Sequence, residues 1–330
     1  MRALNDRFLK DLKDGILAKV TETVQWDSTL CLELRGTSIN VYYRGCNLMK
    51  IQETRTEYRG TFNPNYFKDG RTLKLPKSLT HLDDVGKWLE AWPSLKGAVD
   101  QYIAEKVKKD EREVQQMFVR ANNYGRIQPG ADLGIQYKGG SLAQSTDFYI
   151  CDVEYVRSGE PWRFDMIAVH WPSDRHLRSK ASDRRLVIIE VKCGDGALSG
   201  AAGLSKHIGD IDRFLENPDK VAALKNDMVQ VFNQKRALGL MDCNRDLKGF
   251  SDERPIVMLA LVSHDPDSTK LRECLAHLSE TIHPHMDLRI GVASFFGFGL
   301  YDQGIHTVDE VLWRFGDFVY KDLPRNIGLS

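Results

Sequence analysis

The chain has 330 residues, room for one large domain or two of the usual size of about 100–200 residues. It is 42% hydrophobic and 28% charged, which excludes a disordered tract and a membrane-embedded bundle as its main content. With 46 basic and 46 acidic residues, any surface that meets phosphate must come from local clustering of Lys and Arg.

Residues 1–21 are too charged for a secretory signal. No apolar run approaches the roughly 18–20 residues that cross a bilayer. Cys31, Cys46, Cys151, Cys193, Cys243 and Cys274 form no C-x-x-C pair. They read as small buried thiols in a reducing compartment, so a cytoplasmic protein is expected.

In chain order, residues 1–20 read as an amphipathic helix with Leu4, Phe8, Leu12 and Ile16 near one face. Short strands follow at 30–34, 38–43 and 48–51. Arg35 with Gly36, and Arg44 with Gly45, punctuate them as in an antiparallel meander. The polar stretch with Gly60, Pro64, Gly70 and Pro76 reads as loop. A helix is expected over 82–91, ending before Pro93, and a long one over 95–122 with a charged, solvent-facing middle.

Strands at 146–156 and 162–171 form an expected hairpin. The first should put Tyr149, Cys151, Val153 and Tyr155 on one face, with Asp152 and Glu154 supporting the site residues from behind or facing solvent. A third strand, 184–193, holds the apolar run Leu186 to Ile189 expected of a strand covered on both faces. Helices at 198–215 and 219–240, a strand at 255–262, a helix at 267–281, a strand at 288–296 and a helix at 308–320 complete the pattern. The fold class expected is α/β (α+β), a central mixed sheet flanked by helices. A small, mainly antiparallel β domain of unknown role should occupy 1–94, and the main domain 95–330.

The chemistry concentrates at the ends of two strands. Glu190 and Lys192 share a face with Leu186 and Ile188, so that face turns from greasy to charged at its C-terminal end. Lys and Glu are rarely buried without a partner or a ligand. Asp165 lies among apolar residues on the preceding strand and can stand beside Glu190. Adjacent carboxylates repel unless they share a cation, and Mg²⁺ takes oxygen ligands of this kind. Lys192 would then position a water or stabilise charge on a phosphate. A plain Glu190–Lys192 ion pair is the rival explanation, and it leaves Asp165 unexplained.

Arg163, Asp165 and Ala168, followed by a basic loop and then Ile188, Ile189, Glu190, Val191 and Lys192, resemble the PD-(D/E)XK (restriction-endonuclease-like) nuclease superfamily. The resemblance covers roughly residues 100–262 and implies a restriction-endonuclease-like fold. It also implies Mg²⁺- or Mn²⁺-dependent hydrolysis of DNA phosphodiesters, in defence against foreign DNA or in repair. By that resemblance Asp165 and Glu190 are metal carboxylates, the Val191 carbonyl a further ligand and Lys192 the catalytic lysine. Glu113 takes the place of the helical glutamate, with Glu111 as its substitute, although a solvated helix face explains Glu113 nearly as well. The sequence departs from the family pattern in having Phe164 before Asp165. His207 or Lys206 stands where some members carry a glutamine.

Arg175, Arg178, Lys180, Arg184 and Arg185 concentrate positive charge between two core strands. They suit a nucleic-acid backbone or a solvated loop equally. DNA is expected over RNA as partner, and a membrane is not. Nucleases of this kind often act as homodimers, though the sequence carries no dimer signature. Two alternatives stand beside a deoxyribonuclease: an idle nuclease-fold module that binds nucleic acid or a protein, and an RNA-cleaving member of the same fold. His283 and His285 around Pro284 read as a surface turn, and no nucleotide-binding glycine motif is present.

Overall fold

The computed structural model describes residues 1–67, 74–105, 110–123, 146–156, 162–173, 184–198, 203–243, 245–262, 264, 269–293, 300 and 305–314. Two short helices open the chain, α1 (Asp6–Lys13) and α2 (Ala18–Trp26), where the periodicity predicts one. Asn5 caps α1 by accepting the Phe8 N–H, and Phe8 and Leu12 are its buried face.

Strands β1 (Leu30–Leu34), β2 (Ser38–Tyr43), β3 (Cys46–Glu53), β4 (Tyr58–Thr61) and β5 (Ser78–Leu79) follow. They form a five-stranded sheet in sequence order, with every neighbouring pair antiparallel. The meander is therefore present, with two strands added from the stretch that reads as loop. Arg44 (φ 48°) and Gly45 (φ 72°) make the β2–β3 turn. Two successive positive φ angles are those of a type I′ hairpin, whose twist matches the strands.

Helix α3 (Leu82–Ala104) runs straight through Pro93, and a separate helix, α4 (Asp110–Asn123), comes after it. The sequence expectation ended a helix at that proline, which costs about 3 kcal/mol inside a helix. Burial wins: Val85, Trp88, Trp92, Leu95 and Val99 form one buried stripe, and each contributes about 1.5–3 kcal/mol. Position 94, the expected boundary, falls inside this helix. One buried cluster extends from Phe8 and Leu48 to Ile188, Leu259 and Phe232.

The second sheet contains β6 (Phe148–Val156), β7 (Arg163–His170), β8 (Arg185–Cys193), β9 (Ile256–Val262), β10 (Asp287–Ala293) and β11 (Ile305–His306). Its order is β11-β10-β9-β8-β7-β6. β6 to β8 are antiparallel neighbours, β8 to β10 run parallel, and β11 returns antiparallel. Helices α5 (Leu204–Leu215), α6 (Pro218–Ala237), α7 (Thr269–Ser279) and α8 (Val308–Arg314) complete eight α-helices among the described residues. The protein is thus a mixed α/β molecule with one antiparallel and one mixed sheet. None of the described helices is long and apolar enough to cross a membrane. β8 is covered on both faces, with Leu186 and Ile188 in one cluster and Val187, Ile189 and Val191 in the other.

β6 departs from simple alternation. Its register shifts between Ile150 and Asp152, and Glu154 adopts φ 48°. Tyr149, Cys151 and Tyr155 consequently face one cluster and Val153 the other. Asp152 does not face solvent. It is fully buried, paired with Arg35 and, at 3.1 Å, with Arg2. The same two arginines donate to the carbonyls of the β6 edge, Arg35 to Val153 at 2.9 Å and Arg2 to Glu154 at 2.8 Å. Beside them Lys235 of α6 donates to both oxygens of Glu33 at 2.7 Å. The two sheets therefore meet through buried, paired charges.

Removing one partner of such a pair strands the other without water. Lys235→Ala is expected to cost about 3–5 kcal/mol, measured by urea denaturation. Glu33→Leu combined with Lys235→Met should recover most of that loss. A loss below about 1 kcal/mol in the single variant would contradict a desolvated pair.

Candidate active site

The ladder between β7 and β8 ends at Met166 opposite Ile189. The next pair in that register would be Asp165 and Glu190, so the strands part where the two carboxylates sit. Asp165 Oδ2 accepts the Val191 N–H at 2.9 Å, a side-chain substitute for the missing ladder bond. The C=O and N–H of one extended residue point to the same side of the strand. The Val191 carbonyl therefore opens toward the gap that β7 leaves.

Asp165, Glu190 and Lys192 are all buried, at 8%, 2% and 5% exposure. Lys192 Nζ donates to Glu190 Oε1 at 2.6 Å, and His207 Nδ1 lies 2.6 Å from the same oxygen. Helix α5 brings His207 over the strand end, and Lys206 beside it is exposed. The three core residues and His207 expected from the sequence are thus brought together.

The two carboxylates differ in electrostatics. Burial pushes the Asp165 carboxyl well above the usual range, and Glu190 and Glu111 push it further, against the Val191 N–H and Lys192. Burial would raise Glu190 as well, but the His207 hydrogen bond and the Lys192 charge outweigh it and hold Glu190 low. The charged form is thus favoured at Glu190, by His207 and Lys192, and disfavoured at Asp165, by burial and the neighbouring carboxylates.

The helical glutamate is a correction. Two residues on a helix are about 200° apart, so Glu111 and Glu113 cannot both face the site. Glu113 turns to the first sheet, where Arg44 Nε meets it at 2.9 Å. Glu111 lies on another side of the helix and, as a residue, is exposed. Packing around its carboxyl raises its pKa, Glu190 adds to the rise, and Lys192, Arg163 and His207 lower it. Its charge is therefore felt by the site residues.

The expected basic surface is only partly placed. Arg175, Arg178 and Lys180 lie outside the described residues. Arg184 is buried with its guanidinium 4.2 Å above the Trp171 ring. Arg185 pairs with Asp287 at 3.0 Å and Glu253 at 3.2 Å. Five residues of strand, roughly 16 Å, separate Arg185 from Glu190. Arg184 and Arg185 therefore stabilise the far end of the sheet and are not near the carboxylates. Arg163, with a half-exposed side chain, is the described arginine on the strand of Asp165.

His264 was not singled out from the sequence. It lies just past the C-terminal end of β9, the side of a parallel strand where ligands gather. Its Nε2 is 3.2 Å from the Lys192 carbonyl and its Nδ1 3.0 Å from Asp195 Oδ1. Each ring nitrogen thus has a polar neighbour, one on the strand of Lys192 and one on the turn that follows it. Gly194 (φ 65°) turns the chain here, with its N–H on the Val262 carbonyl at 2.9 Å. The backbone of Lys192 is thereby pinned from the β9 side.

An all-oxygen set of Asp165, Glu190 and the Val191 carbonyl suits a hard divalent cation that keeps some of its waters. Among the described residues no three His, Cys, Asp or Glu side chains are gathered into a ready metal cluster. No protein-family model, curated protein or solved structure matches the chain in the comparisons made with each.

Because Asp165 is buried in negative potential, Asp165→Asn is expected to stabilise the metal-free protein at pH 7, by about 0.5–2 kcal/mol. Thermal melts with EDTA measure this, and a fall in Tm would contradict the placement of that charge.

Proposed function

We propose that the chain is a metal-dependent nuclease that hydrolyses DNA phosphodiesters, with Asp165, Glu190 and Lys192 at its centre. The observation that carries this is the buried carboxylate pair at the parting of β7 and β8, with a lysine on the same face. A structural ion pair needs neither the second carboxylate nor the broken ladder. Asp165, Glu190 and the Val191 carbonyl would hold Mg²⁺ or Mn²⁺. Such an ion, when bound, polarises a phosphoryl oxygen and lowers the pKa of water.

The chain's own groups have separate tasks. The Val191 N–H fixes the rotamer of Asp165. Glu190 orients the Lys192 ammonium, which is placed to hold a water or to offset charge developing on phosphate. His207 meets the same Glu190 oxygen as Lys192 and so helps to fix that carboxylate. The exposed Lys206, and Arg163 where it is not held by Glu154, would offer positive charge to approaching backbone phosphates. DNA is preferred to RNA, and defence or repair proposed as the setting, on the resemblance to PD-(D/E)XK nucleases.

The test is a cleavage assay on supercoiled plasmid, linear duplex, single-stranded DNA and RNA, each with Mg²⁺, Mn²⁺ or EDTA. Metal-dependent cutting of DNA is expected, with Asp165→Ala and Lys192→Ala each losing at least about 100-fold. Cutting of RNA alone would make it an RNA-cleaving member of the fold. No cutting by wild type, with nucleic-acid binding unaltered in both variants, would favour an idle binding module.

A further inference from the structure

The first sheet has no task in the reaction proposed above, yet its β2–β3 hairpin ends against the helix that carries Glu111. A Cβ on Gly45 would stand 2.6 Å from Arg112 Cβ and 2.7 Å from both Arg112 C and Glu113 N. The tip therefore rests on the backbone of the two residues that follow Glu111. Positive φ at Gly45 alone would favour glycine. The contact adds a steric reason, because the neighbour here is backbone and cannot swing aside.

Polar contacts hold the tip in place. The Gly45 N–H donates to Gln116 Oε1 at 2.7 Å. Gln116 Nε2 in turn donates to the carbonyls of Thr29 at 2.9 Å and Tyr42 at 3.1 Å. Arg44 grips Glu113 through Nε at 2.9 Å and Nη2 at 3.3 Å, and reaches Asp100 through Nη1 at 2.9 Å. Across the helix, Arg112 Nε meets Glu154 Oε1 at 2.8 Å. Arg163 Nη2, two residues from Asp165, takes the same oxygen at 2.8 Å. The start of α4 is thus clamped between the hairpin tip and the strand of Asp165.

We infer that the Arg44–Gly45 hairpin tip is the positioning element that sets the start of α4, which carries Glu111, against the strand of Asp165. The first sheet is then an integral part of the site and not a separate substrate-reading module. The inference rests on the nuclease reading of that site. Functional groups must be held to within about 0.5 Å, and a methyl at Gly45 forces a shift of that order in the backbone beside Glu111.

Gly45→Ala, Arg44→Ala and Glu111→Gln would be compared with wild type by calorimetry of Mn²⁺ uptake on the protein alone. DNA cleavage kinetics and thermal melts would run in parallel. Gly36→Ala is the control. It has the same kind of strain, at φ 71°, but its added Cβ would meet only the Met1 backbone, at 2.7 Å from O. Gly45→Ala and Arg44→Ala should each lower Mn²⁺ affinity and kcat by about 10-fold, with KM for DNA nearly unchanged. Neither should add to the loss in Glu111→Gln, since groups acting through one residue are non-additive. Gly36→Ala should lower Tm and leave affinity and kcat alone.

Folded Gly45→Ala with wild-type Mn²⁺ affinity and kcat would overturn the inference, and so would losses that add fully to those of Glu111→Gln. If Gly45→Ala fails to fold, Arg44→Ala decides on the same criteria. Wild type that takes up no Mn²⁺ and cuts nothing would instead remove the nuclease reading on which the inference stands.

Discussion

Two carboxylates occupy the point where β7 and β8 stop pairing, and the rest of the molecule is arranged around that break. A continuous ladder would set Asp165 and Glu190 side by side in a dry sheet, with no water to screen them. The strands part instead, and the amide of Val191 turns to Asp165. Lys192 and His207 converge on Glu190 and leave Asp165 under negative potential. The apolar run from Leu186 to Ile189, buried on both faces, keeps these groups from relaxing outward. A greasy and rigid strand is what allows a costly charge arrangement to persist at its end.

The same logic explains the junction between the sheets. Strand β6 is the edge of the second sheet, and its bulge turns Asp152 inward. Arg2 and Arg35 pair with that carboxylate and donate to carbonyls of the edge, which protects the edge from foreign strands. Glu33 and Lys235 extend the network to α6. Helix α4 packs against β6, and its Glu113 turns to Arg44 while Glu111 lies on another side and is exposed.

Much of this was legible from residue order. The greasy-to-charged change along β8 marked Glu190 and Lys192, because a period of two admits no other face. The meander and the alternation of strand and helix after residue 184 followed from patterning. What patterning could not show depends on tertiary contact. Pro93 fails to end α3 because two tryptophans are buried around it. Val153 leaves the face of its neighbours because a bulge and the left-handed Glu154 turn it. Glu111 and Glu113 lie in one charged run, and only the hairpin docked on α4 tells them apart. Arg184 suits a phosphate or a solvated loop equally in the sequence, and its seat over the Trp171 ring is a tertiary contact. His264 gave a weak signal, a polar residue past the end of a parallel strand.

The claim on which the rest depends is that the parted strand ends hold a divalent cation. Diffraction from crystals soaked in Mn²⁺, recorded at the manganese absorption edge, tests it directly. An anomalous peak within coordinating distance of Asp165, Glu190 and the Val191 carbonyl is the predicted result. No peak there in fully soaked crystals, with Lys192 still seated on Glu190, would contradict it.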